Sequence, residues 1–384
     1  MKKRVMMLMS SVLAAGTLLA ACGEENNEST PINDGGNNAN EAADNSADEN
    51  TGNNEAAGEG EAFTAQMVTD IGGVDDRSFN ESAWAGLTLF GEDYPNAEVG
   101  YVQSSDASDY APNLNRIARE GTDISFAIGF LMEDDIKTVA AQNEDQNFAI
   151  VDTVVTDDNG DLIPNIANIT FAEHEGSFLV GAVAAMQSET DHIGFIGGVE
   201  GELIKKFESG FKAGAKFVNP DIEIATQYAQ NFNDASKGQQ IGNAMYGNGA
   251  DIIFHAAGAT GNGLITDAIE RAQDGENVWV IGVDQDQALT QGDWDDGNVI
   301  LTSMVKRVDE AVYQVAESTM NGEYPGGEVL EFTLEDAGVG IAESRENVSE
   351  EALTAVEEYT DMIINGEIVV PKTDEEYEEF EGSL

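Results

Sequence analysis

Val68-Thr69-Asp70-Ile71-Gly72-Gly73-Val74-Asp75-Asp76-Arg77-Ser78-Phe79-Asn80-Glu81-Ser82-Ala83-Trp84 is the stretch that decides the fold class. Gln66 to Thr69 reads as the end of a short apolar strand. Two glycines then break it, and an amphipathic helical pattern starts at about Ser78 and continues through Trp84, Leu87 and Phe90. A strand that breaks at Gly-Gly and turns into a helix leaves N–H groups and polar side chains at its carboxyl end, where open α/β sheets bind small ligands. In that position Phe79 can stack on a flat ligand and Asp70 can accept hydrogen bonds. Asp75, Asp76 and Arg77 read as turn or surface residues, with Asp76 able to orient the loop.

The pattern repeats along the chain. Short Val-, Ile- and Phe-rich runs, among them 124–128, 148–151, 192–196, 252–255, 278–283 and 299–303, alternate with helical stretches such as 176–187, 202–217, 262–273 and 307–320. Strand–helix alternation over about 320 residues predicts parallel sheets covered on both faces, in two domains. Asp152, Asp284 and Lys306 each follow such a run, so each stands at the carboxyl end of an expected strand; the two acids suit either a cleft or the cap of the next helix. Gly258-Ala259-Thr260-Gly261-Asn262-Gly263 follows a strand and opens a helix. It lacks the lysine of a P-loop and the spacing of a dinucleotide site, and reads as a tight turn whose backbone borders the cleft.

The amino-terminal 61 residues carry a different message. Met1-Lys2-Lys3-Arg4, an apolar run from Val5 to Ala21 and the ending Leu19-Ala20-Ala21-Cys22 describe a secretory signal peptide over 1–21. Residues 23–61 are Asn, Glu, Ala, Gly, Asp and Ser with one large aliphatic, Ile32, a composition that reads as a disordered tether over 22–61 with an r.m.s. reach of about 35 Å. Cys22 is the only cysteine, so no intrachain disulfide and no cysteine-based metal or catalytic site is expected.

Charge excludes one class of partner. The chain has 73 acids and 17 bases; eleven of those acids lie in 23–61 and three of the bases in 2–4, which leaves about −48 for the remainder. No basic patch exists to release counterions, so nucleic acid is not an expected partner. Such self-repulsion opposes compaction in dilute salt, whereas at molar salt the Debye length falls to about 3 Å, and the composition points to a salt-loving source. Catalysis is also disfavoured. The three histidines, His174, His192 and His255, lack metal-ligand spacing, and no G-x-S-x-G elbow appears. No cofactor or metal is expected, and no D-x-D-x-D-G calcium loop with a closing Glu appears.

The run from Asp70 to Trp84 resembles the entry motif of the basic membrane protein family, the purine nucleoside receptor A-like lipoproteins. The resemblance recurs in Gly129-Phe130-Leu131, Phe148 to Asp152, Gly194 to Gly198, Phe232 to Gly238, Ala256 to Gly261, Ile281 to Asp284, Thr302 to Lys306 and Ile363 to Pro371. It implies a periplasmic-binding type I fold, with two Rossmann-like lobes, at about 62–170 plus 305–328 and 171–304 plus 329–384, joined by three crossovers. Leu-Ala-Ala-Cys resembles a lipobox, which implies a lipid on Cys22 and a location on the extracellular face of the cell membrane. The resemblance further implies a monomeric nucleoside receptor serving an ABC permease and ATPase. In it Phe79 and Phe232 would be stacking rings, Asp152 would read the base edge, Asp284 and Lys306 would hold the ribose hydroxyls, and Asp70 and Asn80 would add hydrogen bonds. A sugar receptor of the same fold, a ligand sensor without transport and a surface adhesin are the alternatives.

The charge argument yields a first prediction: the melting temperature of the folded part should rise as salt is raised from about 0.1 M to about 2 M, as repulsion is screened. Thermal melts across that range check it; a flat or falling trend would contradict it.

Overall fold

The computed structural model describes residues 62–384, so the expected signal peptide over 1–21, the tether over 22–61 and Cys22 lie outside the described residues. Two six-stranded sheets organise what is described. The first contains β1 (Phe63–Val68), β2 (Ala97–Val102), β3 (Ile124–Ile128), β4 (Phe148–Val151) and β5 (Ile166–Phe171), and the second contains β6 (His192–Gly197), β7 (Glu223–Tyr228), β8 (Ile252–Ala256) and β9 (Trp279–Asp284). A two-stranded hairpin, β10 (Asp293–Trp294) and β11 (Gly297–Asn298), precedes β12 (Ile300–Lys306); β13 (Val329–Phe332) and β14 (Val339–Ile341) follow.

The strand orders are β13-β5-β4-β3-β1-β2 and β14-β12-β9-β8-β6-β7. Apart from β14, which runs antiparallel to β12, every pair in the two sheets is parallel. Both sheets thus repeat one doubly wound order, in which the chain reverses direction beside the first strand, the place where this architecture opens a crevice. Central strands such as Ile-Ser-Phe-Ala-Ile in β3 and Ile-Ile-Phe-His-Ala in β8 are buried throughout, as covering on both faces requires.

Ten helices cover the sheets: α1 (Phe79–Asp93), α2 (Tyr110–Glu120), α3 (Glu133–Gln142), α4 (Glu173–Gln187), α5 (Glu202–Val218), α6 (Ala235–Gly247), α7 (Gly261–Gln273), α8 (Val308–Met320), α9 (Glu350–Ile364) and α10 (Asp374–Glu381). None is long and apolar enough to cross a membrane, among the described residues. Helix α4 is apolar nearly all round and packs on α5 through glycines. A Cβ on Gly181 would stand 2.1 Å from the Phe211 carbonyl oxygen, one on Gly210 2.2 Å from that of His174, and one on Gly214 1.9 Å from that of Phe178. In the same way α8 seats on α1, where a Cβ on Gly86 would meet the Asp309 carbonyl oxygen at 2.1 Å. The acidic α10 straps α5, with Lys205 3.2 Å from Asp374 and the Lys212 ammonium 4.4 Å from the Tyr377 ring centroid.

Three segments link the lobes: β5 into α4, β12 into α8, and β13 into β14. Two limits differ from the sequence expectation. Strand β12 stays in the second sheet as far as Lys306, and 329–332, expected in the second lobe, pairs with β5 in the first. The second and third crossings therefore lie at 306–308 and 333–338. Strand β5 is hard to read from the sequence because Asn168 interrupts its apolar pattern. That side chain is buried, accepts from the Val155 N–H at 2.8 Å and donates to the Glu328 carbonyl at 3.0 Å, so it stitches neighbouring backbone instead of marking a surface.

The glycine seats generate a prediction. Gly214→Ala has no room without moving backbone, and overpacking of this kind costs about 1–3 kcal/mol. A denaturation midpoint unchanged from the parent would contradict it.

Candidate functional site

All seven residues singled out for the cleft, Asp70, Phe79, Asn80, Asp152, Phe232, Asp284 and Lys306, line one cavity between the two sheets' carboxyl edges. From the first lobe come Asp70 after β1, Phe79 and Asn80 in the first turn of α1, Gly129 and Phe130 after β3, and Asp152 after β4. The second lobe supplies Leu203, Ile204 and Phe207 from α5, Phe232 before α6, Ala257 and Gly258 after β8, and Asp284 and Lys306 at the ends of β9 and β12.

The electrostatic centre is Lys306. It is 2 % exposed, with its ammonium 2.7 Å from Asp152 Oδ2 and 3.8 Å from Asp284 Oδ1. Its ammonium also lies 4.7 Å from the centroid of the Phe79 ring. Burial alone would depress this lysine, but Asp152, Asp284 and Glu173 outweigh it and hold the group above its usual value, so it is charged. Asp152 gives one oxygen to Lys306, and its Oδ1 has no hydrogen-bond partner among the described residues. Neither Asp152 nor Asp284 caps a helix: the first bonds Lys306, and the second accepts from Ser78 Oγ.

Both aspartates have left-handed backbone, φ 74° at Asp152 and φ 66° at Asp284. At Asp284 the Gln285 N–H donates to the Val283 carbonyl at 2.8 Å, a γ-turn of the rare positive-φ kind. Such strain persists only where surroundings over-determine it, and it is stored where a side chain must be aimed.

Around the β1–α1 loop the acids are tied down. Asp70 Oδ1 accepts from the Gly72 N–H and from Asn80 Nδ2, both at 2.7 Å, while the Asp70 N–H donates to Asn80 Oδ1 at 3.2 Å. Asp76, expected at the surface or in the turn, is instead 2 % exposed and lines the cavity. It accepts from the N–H groups of Ser78, Asn80 and Glu81 and from Asn80 Nδ2, and so does orient the loop. A run of two acids and an arginine cannot show which member turns inward; three N–H groups converging at a helix start decide it. Leu203, Ile204 and Phe207 were also missed, because an apolar helical stripe ordinarily signals core. Phe232 packs over Gly198, where a Cβ would stand 2.1 Å from its ring, and meets Phe130 edge-on at 6.1 Å.

Burial pushes Asp70 up to about 6, against the lowering effect of the Gly72 N–H and Asn80, and pushes Asp284 up to about 6 against Lys306. Asp76 is raised by burial as well. Among the described residues no group of three or more His, Cys, Asp and Glu side chains is placed to hold a metal ion.

A two-lobed α/β protein with a cavity lined by both lobes between opposed strand ends is a cleft-binding receptor. A family model described as ABC transporter substrate-binding protein PnrA-like matches residues 63–374, and the chain belongs to that family. It is similar to the CD4+ T-cell-stimulating antigen of Listeria innocua, 42% identical over 383 residues that cover 97% of this chain and 99% of that protein. It is also similar to the ABC transporter nucleoside-binding protein BmpA of Lactococcus lactis, 40% identical over 318 residues covering 80% of this chain and 88% of that one. A crystal structure of an ABC transporter solute-binding protein from Aeropyrum pernix superposes with a TM-score of 0.72 at 24% identity, covering 83% of this chain and 96% of that chain; this likeness concerns the fold. The fold is the periplasmic-binding type I fold expected from the sequence. Proteins of this family are extracytoplasmic, bind a ligand and work with permease and ATPase components; they are not a class of enzymes.

The raised carboxyls give a pH prediction. Because Asp70 and Asp284 have folded values above the ordinary 3.8, their stabilising contribution is full below about 3.8 and is lost as the pH rises through about 6. Asp70→Asn cannot ionise. Its melting temperature relative to the parent should therefore be higher at about pH 7.5 than at about pH 4.5. A difference independent of pH would count against this assignment.

Proposed function

We propose that this protein captures nucleosides, purine nucleosides foremost, in the interlobe cavity and delivers them to an ABC importer. The observation that carries the reading is the pairing of two phenyl rings from opposite lobes, Phe79 and Phe232, with an ammonium set between two carboxylates. Rings on opposite lobes suit a flat base, and stacking contributes about 1–3 kcal/mol per base. The unpartnered Oδ1 of Asp152 suits a base edge that offers N–H donors, such as that of guanosine or inosine. Lys306 and Asp284 together offer a donor and an acceptor to ribose hydroxyls, and Asp70 and Asn80 add polar contacts from the first lobe. Four carboxylates, those of Asp70, Asp76, Asp152 and Asp284, face one ammonium, so a phosphorylated ligand would be repelled where a neutral nucleoside is not. The similarity to the nucleoside-binding protein BmpA of Lactococcus lactis supports the same ligand class.

In this reading Cys22 carries the lipid, the acidic tether gives the module reach, and the receptor works as a monomer on the outer face of the membrane in a salty medium. A permease and ATPase receive the ligand after hinge opening.

Calorimetric titration of protein that has been unfolded and refolded, in high salt, with guanosine, inosine, adenosine, cytidine and ribose tests the proposal. Nucleosides should bind with ribose silent, and Phe79→Ala should weaken purine nucleosides by about ten- to a hundredfold, the equivalent of one stacked base. Binding of ribose alone would replace the reading with a sugar receptor. Silence from all five ligands would refute both.

A further inference from the structure

The lobes also touch each other through side-chain amides that are not part of the cavity lining. Asn233 Nδ2 donates to the Ile71 carbonyl at 2.8 Å, Asn262 Nδ2 to that of Asp76 at 3.1 Å, Gln287 Nε2 to that of Arg77 at 2.9 Å and Gln285 Nε2 to that of Ser78 at 2.8 Å. All four donors are amide side chains of the second lobe. All four acceptors are backbone carbonyls of one first-lobe loop, residues 71–78. Ser78 Oγ adds a fifth bond, to Asp284. The Gly-rich stretch that opens α7 contributes Asn262, in that helix's first turn, to this row.

Gln287 differs from its neighbours in being fully buried and fixed at every polar atom. Its Oε1 accepts from the Val283 N–H at 3.2 Å, which sets the amide orientation, since a flipped amide would point NH₂ at that donor. With Oε1 so placed, the 3.0 Å contact to His255 Nε2 requires His255 to carry its proton on Nε2. The Gln287 N–H is held by Ser303 Oγ at 3.1 Å. His255 is fully buried, and burial pushes its imidazole down to about 4, so it is neutral and keeps this tautomer. On the other lobe Arg77 has φ 56°, a conformation that persists in a non-glycine residue only where its surroundings hold it. Its carbonyl is the group that Gln287 grips.

We propose that the amide row Asn233, Asn262, Gln285 and Gln287 is the latch of the closed cleft, with Gln287, aimed by His255, as its buried pin. These are positioning residues: they set how much of the time the lobes are shut and leave the choice of ligand to the cavity. Neutral amides suit the task in a chain of this charge. An ionic latch would weaken as salt is raised, whereas amide-to-carbonyl bonds carry no net charge to screen. Because closing precedes tight binding, a smaller closed population lowers every ligand's apparent affinity by one common factor.

The test uses the full chain with Cys22→Ser and spin labels at Glu120→Cys in the first lobe and Asp274→Cys in the second, both exposed sites. Gln287→Glu, at about pH 8, keeps an oxygen for His255 and Val283 but loses the donor to Arg77. The expected result is a shift of the interlobe distance distribution toward an open population, and a loss of about tenfold in affinity for every bound nucleoside with their ranking unchanged. The double variant Asn262→Ala with Gln285→Ala alters half-buried positions and should move both readouts the same way, so misfolding of Gln287→Glu would not leave the question open. Unchanged distances in both variants would overturn the proposal, as would a changed ranking at unchanged distances. The affinity readout rests on the nucleoside reading and the distance readout does not, so a parent protein that binds no nucleoside would refute that reading while the labels still report on the latch.

Discussion

One ammonium group, that of Lys306, lies beside a carboxylate from each lobe and is the one cation among the described residues that line the cavity. Asp152 stands on the first lobe and Asp284 on the second. Brought together in a buried cleft they would repel, and each would be expensive to ionise. Lys306 ends β12, at the point where the chain leaves the second sheet for α8. The compensating charge is therefore carried by the crossing itself, and it serves both lobes from the place where they are joined. Glu173, buried at the start of α4 beside Lys206 at 3.1 Å, places a second ion pair at another crossing.

Around this centre the division of labour follows from geometry. Backbone strain at Asp152 and Asp284 aims the acids, helix starts at Phe79 and Leu203 bring apolar surface, and the β1–α1 loop is both wall and contact strip. The loop can serve in both ways because Asp76 gathers three N–H groups from inside and leaves its own carbonyl and those of Ile71, Arg77 and Ser78 to face the other lobe. Side-chain acids thus look inward and backbone oxygens look across.

Much of this was legible in the sequence, and for a physical reason. In doubly wound sheets the polar residue directly after an apolar run stands at the ligand crevice, so Asp70, Asp152, Asp284 and Lys306 can be placed from strand pattern alone, and Phe79 from the turn that follows β1. The illegible parts are those whose role depends on distant partners. Asn168 reads as a break until β13 lies beside it. Asp76 is indistinguishable from Asp75 until α1 presents its N–H groups. Gln285 and Gln287 follow no pattern, because their acceptors are main-chain carbonyls two hundred residues away, which any sequence would supply. The short edge strands β13 and β14 carry too few residues to establish a period, so the pairing of 329–332 with β5 in the first lobe leaves no mark in the sequence.

The glycine seats have a consequence for movement. Helix α4, entered directly from the first crossing, has its main chain pressed against that of α5. Helix α8, entered from the second, is pressed in the same manner against α1. Contacts this close between backbones do not slide, because no side chain stands between them to change rotamer. Each linking strand therefore ends in an element anchored to one body or the other, and the freedom left is torsional, in a few residues at each crossing. The lobes are built to swing as rigid bodies about a narrow axis, by hinge and not by shear.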